Sequence, residues 1–536
     1  MALGGKASSS ANAESQPRVI GVVGAGTMGA GIAQLAAQAG ARTLLYDPAA
    51  DALERGLASI EEGLRRLVER GRLEPADAER ARARLEPVGE LEALAGCELV
   101  IEAAPERLEL KRELFAALAR VVAPDCVLAS NTSSLSVTEI AAAAPHPERV
   151  VGLHFFNPAP VMALAELVAA QQSSERALRL ARAAAEAMGK RVIDAVDVTG
   201  LLVNRCNRPF SLEALRALTE RLATVEQIDR IMRLGGRFPM GPFELQDLVG
   251  IDTNHAVAEA FWRSSYGEAR FQPSPLQARM VAAGRLGRKS GAGWYDYSAG
   301  VERYRQADPV PPERGGGDGR SVVVVGSLPV ARELRLAAAA AGFQVSERAG
   351  EREPWLTLDC SGRSSEREGG VGAGLPGGSG GARVRLLHDS SLACSEPTAA
   401  GFHLLAPLEG CQLVELTSTA VTRERSLRRA REFFACLGLH AEHVGDAPGL
   451  VLGRIVAALI NEAAFMLGEG VATAADLDDG MRLGVNHPRG PIEWSRALGL
   501  AHVLAVLDAL HRERGEPRYR AAPLLRARAM VGGQLA

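Results

Sequence analysis

The sequence predicts an α/β chain built twice: a doubly wound parallel sheet with its helices, then a decayed second copy of much of the same pattern. Three observations carry this. Val19 to Val23 runs into Gly24-x-Gly26-x-x-Gly29, an Ala-rich helix and a second apolar run ending at Asp47. Further apolar runs then alternate with amphipathic stretches, the order of a parallel sheet with crossover helices. Finally, GLHFFNPAPVMALAEL (152–167) returns as GFHLLAPLEGCQLVEL (401–416), with a His and a Glu twelve residues apart in each.

A chain of 536 residues is too long for one core, so several domains are expected. Hydrophobic content of 47%, charged content of 23% and a net charge of −3 are ordinary for a globular protein, and exclude a nucleic-acid or membrane-surface partner as the main expectation. The most apolar stretch, Ile455 to Ala474, contains Asn461, Glu462 and Glu469 and reads as a packed helix rather than a membrane span. The start, MALGGKASSSANAESQ, has no signal-peptide core and reads as a disordered tail, and the closing GGQLA matches no retention or peroxisomal signal. Seven scattered cysteines without a CxxC pair fit reduced thiols, no metal site and a cytoplasmic location.

Each part of the first motif has a physical task. Gly24 permits the tight turn, Gly26 lets the backbone approach a pyrophosphate, and Gly29 lets the helix pack close to the sheet. The helix N-terminus offers unpaired N–H groups to phosphate. Asp47, eighteen residues past Gly29, can bond the ribose hydroxyls and repels a 2′-phosphate, so NAD is expected over NADP. Next, CELVIEAAPE (97–106) reads as a buried strand, ERLELKRELFAALARVV as an amphipathic helix, and CVLASNTSSL as a strand ending in a polar turn. Ligands sit at the carboxyl ends of such strands, which is where Glu106 and the SNTSS turn (130–134) fall.

His154 closes a short strand, RVVGLH, and Glu166 follows an apolar stretch. A carboxylate on one imidazole nitrogen fixes the tautomer and makes the other nitrogen a base, which the oxidation of an alcohol by NAD requires. The spacing alone does not place Glu166 beside His154.

Five motifs in order, GxGxMGxGIA, SNTSSL, GLHFFNPAPVM, GLLVNR and RFPMGPFELQDLVGID, together resemble the L-3-hydroxyacyl-CoA dehydrogenase family, and RKSGAGWYDY (288–297) matches its typical end. The resemblance covers about Arg18 to Tyr297. It implies a Rossmann-like NAD domain followed by an all-α domain, with helical domains forming the family's dimer interface. It implies His154 as catalytic base with Glu166 as its partner, and Ser133 and Asn204 as substrate contacts. Glu106, Lys111 and Asn157 are implied around the nicotinamide end of the cofactor. Thr199-Gly200 replaces the family's usual Pro-Gly. Two CoA-contact positions, usually Ser and Lys, fall on Gly63 and Arg70, and only Arg70 can still meet a phosphate. The domain expectation is a tail over 1–16, an NAD domain over 17–200, a helical domain over 201–298 and a linker over 299–320. A degenerate Rossmann-like segment over 321–447 and a second helical domain over 448–536 follow.

A constant offset of 249 residues carries His154 to His403, Glu166 to Glu415, Arg205 to Arg454, Gly241-Pro242 to Gly490-Pro491 and Glu244 to Glu493 without a gap, so the second copy is a duplication. Asn157 becomes Ala406 and Asn204 becomes Gly453. Upstream, 322–345 still reads as strand, turn, helix and strand, but the turn is Gly326-x-Leu328-x-x-Ala331. A leucine at the second position keeps a pyrophosphate off the backbone, and Glu347 is the nearest candidate ribose acid. Residues 361–383 read as Gly/Ser-rich loop, and HDSSL (388–392) as a remnant of SNTSSL. The second copy is therefore expected not to turn over substrate, with His403 and Glu415 as structural relics; a vestigial CoA or acyl site is the other reading. Its helices, at three- and four-residue apolar spacing, are expected to give the first helical domain an intrachain partner.

The expected activity is NAD-dependent oxidation of (S)-3-hydroxyacyl-CoA to 3-oxoacyl-CoA, a 3-hydroxybutyryl-CoA dehydrogenase type of reaction. The resemblance suggests a setting in fatty-acid or phenylacetate-type degradation. A dehydrogenase of a free β-hydroxy acid, or a silent NAD-binding scaffold, are the alternatives. A terminal carboxylate on the acyl chain would need a basic partner, for which Arg205 and Arg208 are candidates.

Overall fold

The structure, a computed structural model, describes residues 16–300, 304–348, 350, 352–361 and 381–536. It divides into two compact units, up to Leu202 and from Val203 onward. The tail expected over 1–16 lies outside the described residues save Gln16, as do residues 362–380 of the Gly/Ser-rich stretch.

The first unit is an eight-stranded sheet: β1 (Val19–Val23), β2 (Arg42–Tyr46), β3 (Leu85–Val88), β4 (Leu99–Glu102), β5 (Val127–Ser130), β6 (Val150–Phe155), β7 (Leu164–Ala169) and β8 (Arg191–Val196). Its helices are α1 (Thr27–Gln38), α2 (Ala50–Glu69), α3 (Pro75–Arg84), α4 (Leu108–Val121), α5 (Val137–Ala141) and α6 (Glu175–Ala187). The strand order is β3-β2-β1-β4-β5-β6-β7-β8. β4, β5 and β6 are buried along their whole length, as strands covered by helices on both faces must be, which is why they read as unbroken apolar runs.

One pair departs from the all-parallel expectation. β6 and β7 run antiparallel. The reason is length: Phe156 to Ala163 is too short for the crossover that a parallel pair needs. The antiparallel register sets His154 directly opposite Glu166.

The second unit opens with α7 (Val203–Thr219), α8 (Val225–Arg230), α9 (Pro242–Val249), α10 (Ile251–Ser264) and α11 (Pro275–Ala282). A seven-stranded sheet follows, ordered β10-β9-β11-β12-β13-β14-β15. Its strands are β9 (Ser321–Val325), β10 (Gln344–Ser346), β11 (Leu356–Asp359), β12 (Arg383–Leu386), β13 (Ala400–His403), β14 (Leu413–Thr417) and β15 (His440–His443). The helices α12 (Pro329–Ala340), α13 (Leu392–Ser395) and α14 (Glu424–Cys436) accompany it. The chain ends in α15 (Leu452–Gly468), α16 (Ala474–Val485), α17 (Pro491–Leu498), α18 (Leu500–Arg514) and α19 (Pro523–Met530). The offset of 249 residues maps α7 onto α15 and α9 onto α17 end to end, and again the pair β13–β14 is antiparallel with His403 opposite Glu415.

The two helical sets meet through α7 and α15, and the contacts are reciprocal. Arg205 reaches Glu462 at 2.9 Å and Glu469 at 2.7 Å. Arg454, its offset equivalent, reaches Glu213 at 2.9 Å and Glu220 at 2.8 Å, the equivalents of those two acids. Phe238 and its equivalent His487 meet each other, ring centroids 4.9 Å apart. Two residues of the expected linker are held against the helices that precede it. Tyr304 donates to Glu244 at 3.0 Å, and Asp308 pairs with Arg233 at 2.6 Å.

Arg454 is fully buried and Glu213 nearly so. Arg454→Ala leaves buried Glu213 without its cation, and leaves Glu220 with Arg514 alone, at 3.2 Å. It should lower stability by about 3–5 kcal/mol, read as a lower urea midpoint; an unchanged midpoint would refute the importance of this contact.

Candidate active site

The glycine turn between β1 and α1 is shaped as the motif implies. Gly24 has φ +100°, and a Cβ there would lie 2.7 Å from Ala103 O. A Cβ on Gly29 would sit 1.7 Å from Gly24 O, so only glycine lets the helix come this close. Around Gly26 a Cβ would meet nothing within 4 Å, which leaves open space over the start of α1 for a phosphate. Asp47, just past β2, accepts from Ala25 N at 2.8 Å and Ala49 N at 3.0 Å, so its carboxylate is held beside that turn. These features fit a dinucleotide with free ribose hydroxyls.

Beyond β4 lies a buried charge cluster that the sequence reading missed in part. Glu102, at the end of β4, accepts from Ser130 Oγ at 2.7 Å, Ala104 N at 2.6 Å and Lys111 Nζ at 2.5 Å. Lys111 is 1% exposed, so its side chain is buried against this carboxylate. It also lies 3.4 Å from Glu106. Glu106 Oε1 in turn accepts from Thr132 Oγ1 at 2.6 Å, Ser133 N at 3.0 Å and Ser134 N at 3.1 Å. Burial opposes ionisation of Glu106, but the Lys111 ammonium and these donors outweigh it and hold the carboxyl below its ordinary range. Glu106 thus fixes Thr132 to Ser134 of the SNTSS turn, while Glu102 holds Ser130. The readable signal for Glu102 is a carboxylate closing an otherwise apolar strand, LVIE.

Ser133 is half-buried, and its hydroxyl makes no hydrogen bond among the described residues. Asn131 Oδ1 accepts from Phe155 N at 2.8 Å and ties the turn to β6, beside His154. His154 is buried, and its Nδ1 meets Glu166 Oε2 at 2.7 Å. Glu166 Oε1 accepts from Leu202 N at 3.0 Å, so the carboxylate is fixed at both oxygens. With Nδ1 donating, Nε2 is the free base. Asn157 is exposed after β6, and Asn204 is half-buried in the first turn of α7. Arg70 is exposed at the C-terminal end of α2. Gly63 faces Gln34, whose Oε1 a Cβ would approach to 2.5 Å.

The family model for the 3-hydroxyacyl-CoA dehydrogenase NAD binding domain matches residues 19–198, and the C-terminal domain model of the same family matches 200–297 and 449–532. The chain belongs to the 3-hydroxyacyl-CoA dehydrogenase family. It is an NAD-dependent oxidoreductase of that family. It is 38% identical over 514 residues to the 3-hydroxyadipyl-CoA dehydrogenase of Escherichia coli K12, covering 96% of this chain and 98% of the relative. A 3-hydroxybutyryl-CoA dehydrogenase of Mycobacterium tuberculosis is 43% identical over 280 residues, 52% of this chain and 98% of its own length. The crystal structure of 3-hydroxybutyryl-CoA dehydrogenase from Escherichia coli K12 superposes with a TM-score of 0.80 at 36% identity, covering 96% of this chain and 99% of that one.

The dehydrogenase's second copy keeps the backbone of this arrangement but not all of its side chains and hydrogen bonds. Gly326 retains φ +116°, but Leu328 caps α12 where Gly26 stood. Arg335 donates to Val324 O and Gly326 O from beneath the turn and holds Glu347, the nearest candidate ribose acid, at 3.1 Å. Glu415 still accepts from Val451 N at 2.7 Å and Leu452 N at 3.2 Å, yet neither ring nitrogen of His403 has a hydrogen-bond partner among the described residues. The cause is Gly453, which replaces Asn204. A Cβ at 453 would lie 2.1 Å from His403 Cε1, so the imidazole occupies the volume a side chain there would fill. Burial pushes His403 down to about 3 and Glu415 up to about 8, so at neutral pH both are uncharged.

The Glu415 shift has a measurable consequence. The folded chain binds this proton more tightly than the unfolded chain, whose carboxyl titrates near its ordinary 4.5. The stability it contributes is complete below 4.5 and is lost as pH rises through about 8. Glu415→Gln stays neutral throughout. The wild type's urea midpoint, taken relative to this variant, should therefore fall as pH is raised across that window; a difference independent of pH would show that Glu415 is not held protonated.

Proposed function

We propose that this dehydrogenase oxidises the C3 hydroxyl of an (S)-3-hydroxyacyl-CoA to a ketone in its first copy alone. The observation that carries this reading is the His154 Nδ1–Glu166 contact at 2.7 Å, which the second copy lacks. His154 Nε2 takes the hydroxyl proton, and Glu166 stabilises the imidazolium that results. The chemistry NAD supplies is acceptance of the hydride leaving C3. Ser133 and Asn204 hold the forming carbonyl, Gly24, Gly26, Gly29 and Asp47 hold the cofactor, and Asn157 lines its nicotinamide end. Glu106 and Lys111 also stand near the nicotinamide end, and Glu106 keeps the SNTSS turn in place. Arg70 meets a phosphate of CoA.

The second copy is an intrachain pseudo-subunit. Its support is the reciprocal exchange of Arg205, Arg454 and their four carboxylates, the pattern of an isologous interface between identical chains. The domain limits proposed are 17–200, 201–298, 321–447 and 448–536, and the proposed compartment is the cytoplasm. Among the described residues no helix is long and apolar enough to cross a membrane. The name of the full-length relative, 3-hydroxyadipyl-CoA dehydrogenase, makes an acyl chain with a terminal carboxylate the proposed substrate, in phenylacetate-type or fatty-acid degradation.

NADH formation from 3-hydroxybutyryl-CoA and 3-hydroxyadipyl-CoA tests this. His154→Ala should lower kcat by about 10²–10⁴-fold, the range for loss of a general base, while His403→Ala keeps kcat near wild type. A large loss in a folded His403→Ala protein would overturn the assignment of chemistry to one copy.

A further inference from the structure

Helix α7 presents two faces that the duplication treats differently. Arg205, Glu213 and Glu220, which make the exchange with α15, persist in the second copy as Arg454, Glu462 and Glu469. Asn204, Asn207 and Arg208, three and four residues apart on another face, become Gly453, Val456 and Ala457. The fold therefore accepts small apolar residues at these positions, and only the copy with the intact His–Glu pair keeps polar ones.

Arg208 is the unusual member. It is 7% exposed, like Arg205, Arg454 and Arg518 a buried arginine of this unit. Each of those three faces a carboxylate within 3 Å. Among the described residues none pairs with Arg208. Its Nε donates to Asn204 O at 3.2 Å, which places the guanidinium over the turn that carries Asn204, and its plane lies by the Phe261 ring, 5.6 Å to the centroid. Burial without a counter-charge pushes it down to about 10. A buried cation with no anion is costly, and a fold that tolerates alanine at the equivalent place does not need it for packing.

We propose that Arg208 is the specificity residue for an acyl chain ending in a carboxylate, which it pairs with in the bound substrate. This rests on the reading that Asn204 addresses the reacting end of that chain. The reach fits a short diacid. With Nε 3.2 Å from Asn204 O, the guanidinium stands within about one 5 Å helical turn of Asn204. From the C3 hydroxyl carbon to the terminal carboxyl carbon of a 3-hydroxyadipyl group there are three C–C bonds of about 1.5 Å, or roughly 4 Å when extended. Arg205, the other basic candidate on this helix, is already engaged by Glu462 and Glu469 and is set aside.

The test compares kcat/KM for 3-hydroxyadipyl-CoA with that for 3-hydroxyhexanoyl-CoA, the same chain length with a methyl in place of the carboxylate. Wild type should prefer the diacid, and Arg208→Gln should lower the ratio by about 10- to 100-fold, the value of a charge-assisted contact, mainly through KM. Arg208→Lys should restore part of the preference, which a purely structural role would not show. An unchanged ratio in Arg208→Gln, or a wild type without preference for the diacid, overturns the proposal. If Arg208→Gln does not fold, the wild-type ratio across 3-hydroxy diacyl-CoAs of increasing length decides it, with a short-chain optimum expected and a flat profile contradicting it. Turnover of 3-hydroxyhexanoyl-CoA reports separately on the dehydrogenase reading, so the two can fail independently.

Discussion

The short connection from Phe156 to Ala163 is the constraint on which the site depends. It cannot hold a crossover helix, so β7 must return antiparallel to β6, and that register places Glu166 across from His154. Facing residues of an antiparallel pair have their side chains on the same side of the sheet, near enough to touch. Glu166 then has one oxygen for the imidazole and one for Leu202 N. A parallel return would have put the acid elsewhere. The second copy inherits the same short connection and register, and with them the His403–Glu415 placement, without the hydrogen bond.

The duplication separates what the scaffold needs from what the chemistry needs. Glycines and prolines that shape the backbone are kept, as at Gly490-Pro491, and so are the arginines and carboxylates of the α7–α15 contact. The residues released include ones proposed to touch ligand: Gly26 has become Leu328, Asn157 Ala406 and Asn204 Gly453. The last change has a visible effect, because the imidazole of His403 fills the space left by the missing side chain and turns from its acid. Buried, neutral and unpartnered, it is a remnant of a base.

Much of this was legible in the sequence. The glycine turn, the strand ends near Val23 and Asp47, and the constant offset follow from local patterns, in which each residue's role is set by neighbours a few positions away. The antiparallel return was legible in principle from the length of 156–163. What was not legible is long-range. The SNTSS turn reads as a polar turn at a strand end, but nothing local shows that Glu106 caps it from the loop after β4. The amphipathic pattern that carries Lys111 does not show the buried Glu102 it meets. The reciprocal Arg–Glu exchange joins residues more than two hundred positions apart, and the orientation of His403 depends on a glycine fifty positions away.

The proposed division of labour gives the chain one cofactor site, in the first copy. Calorimetric titration of NAD into the full chain tests it most directly. The account predicts one NAD per chain, with binding lost when a side chain is placed on the open turn by Gly26→Val and retained in Leu328→Ala. Two NAD per chain, or binding that survives Gly26→Val, would contradict it.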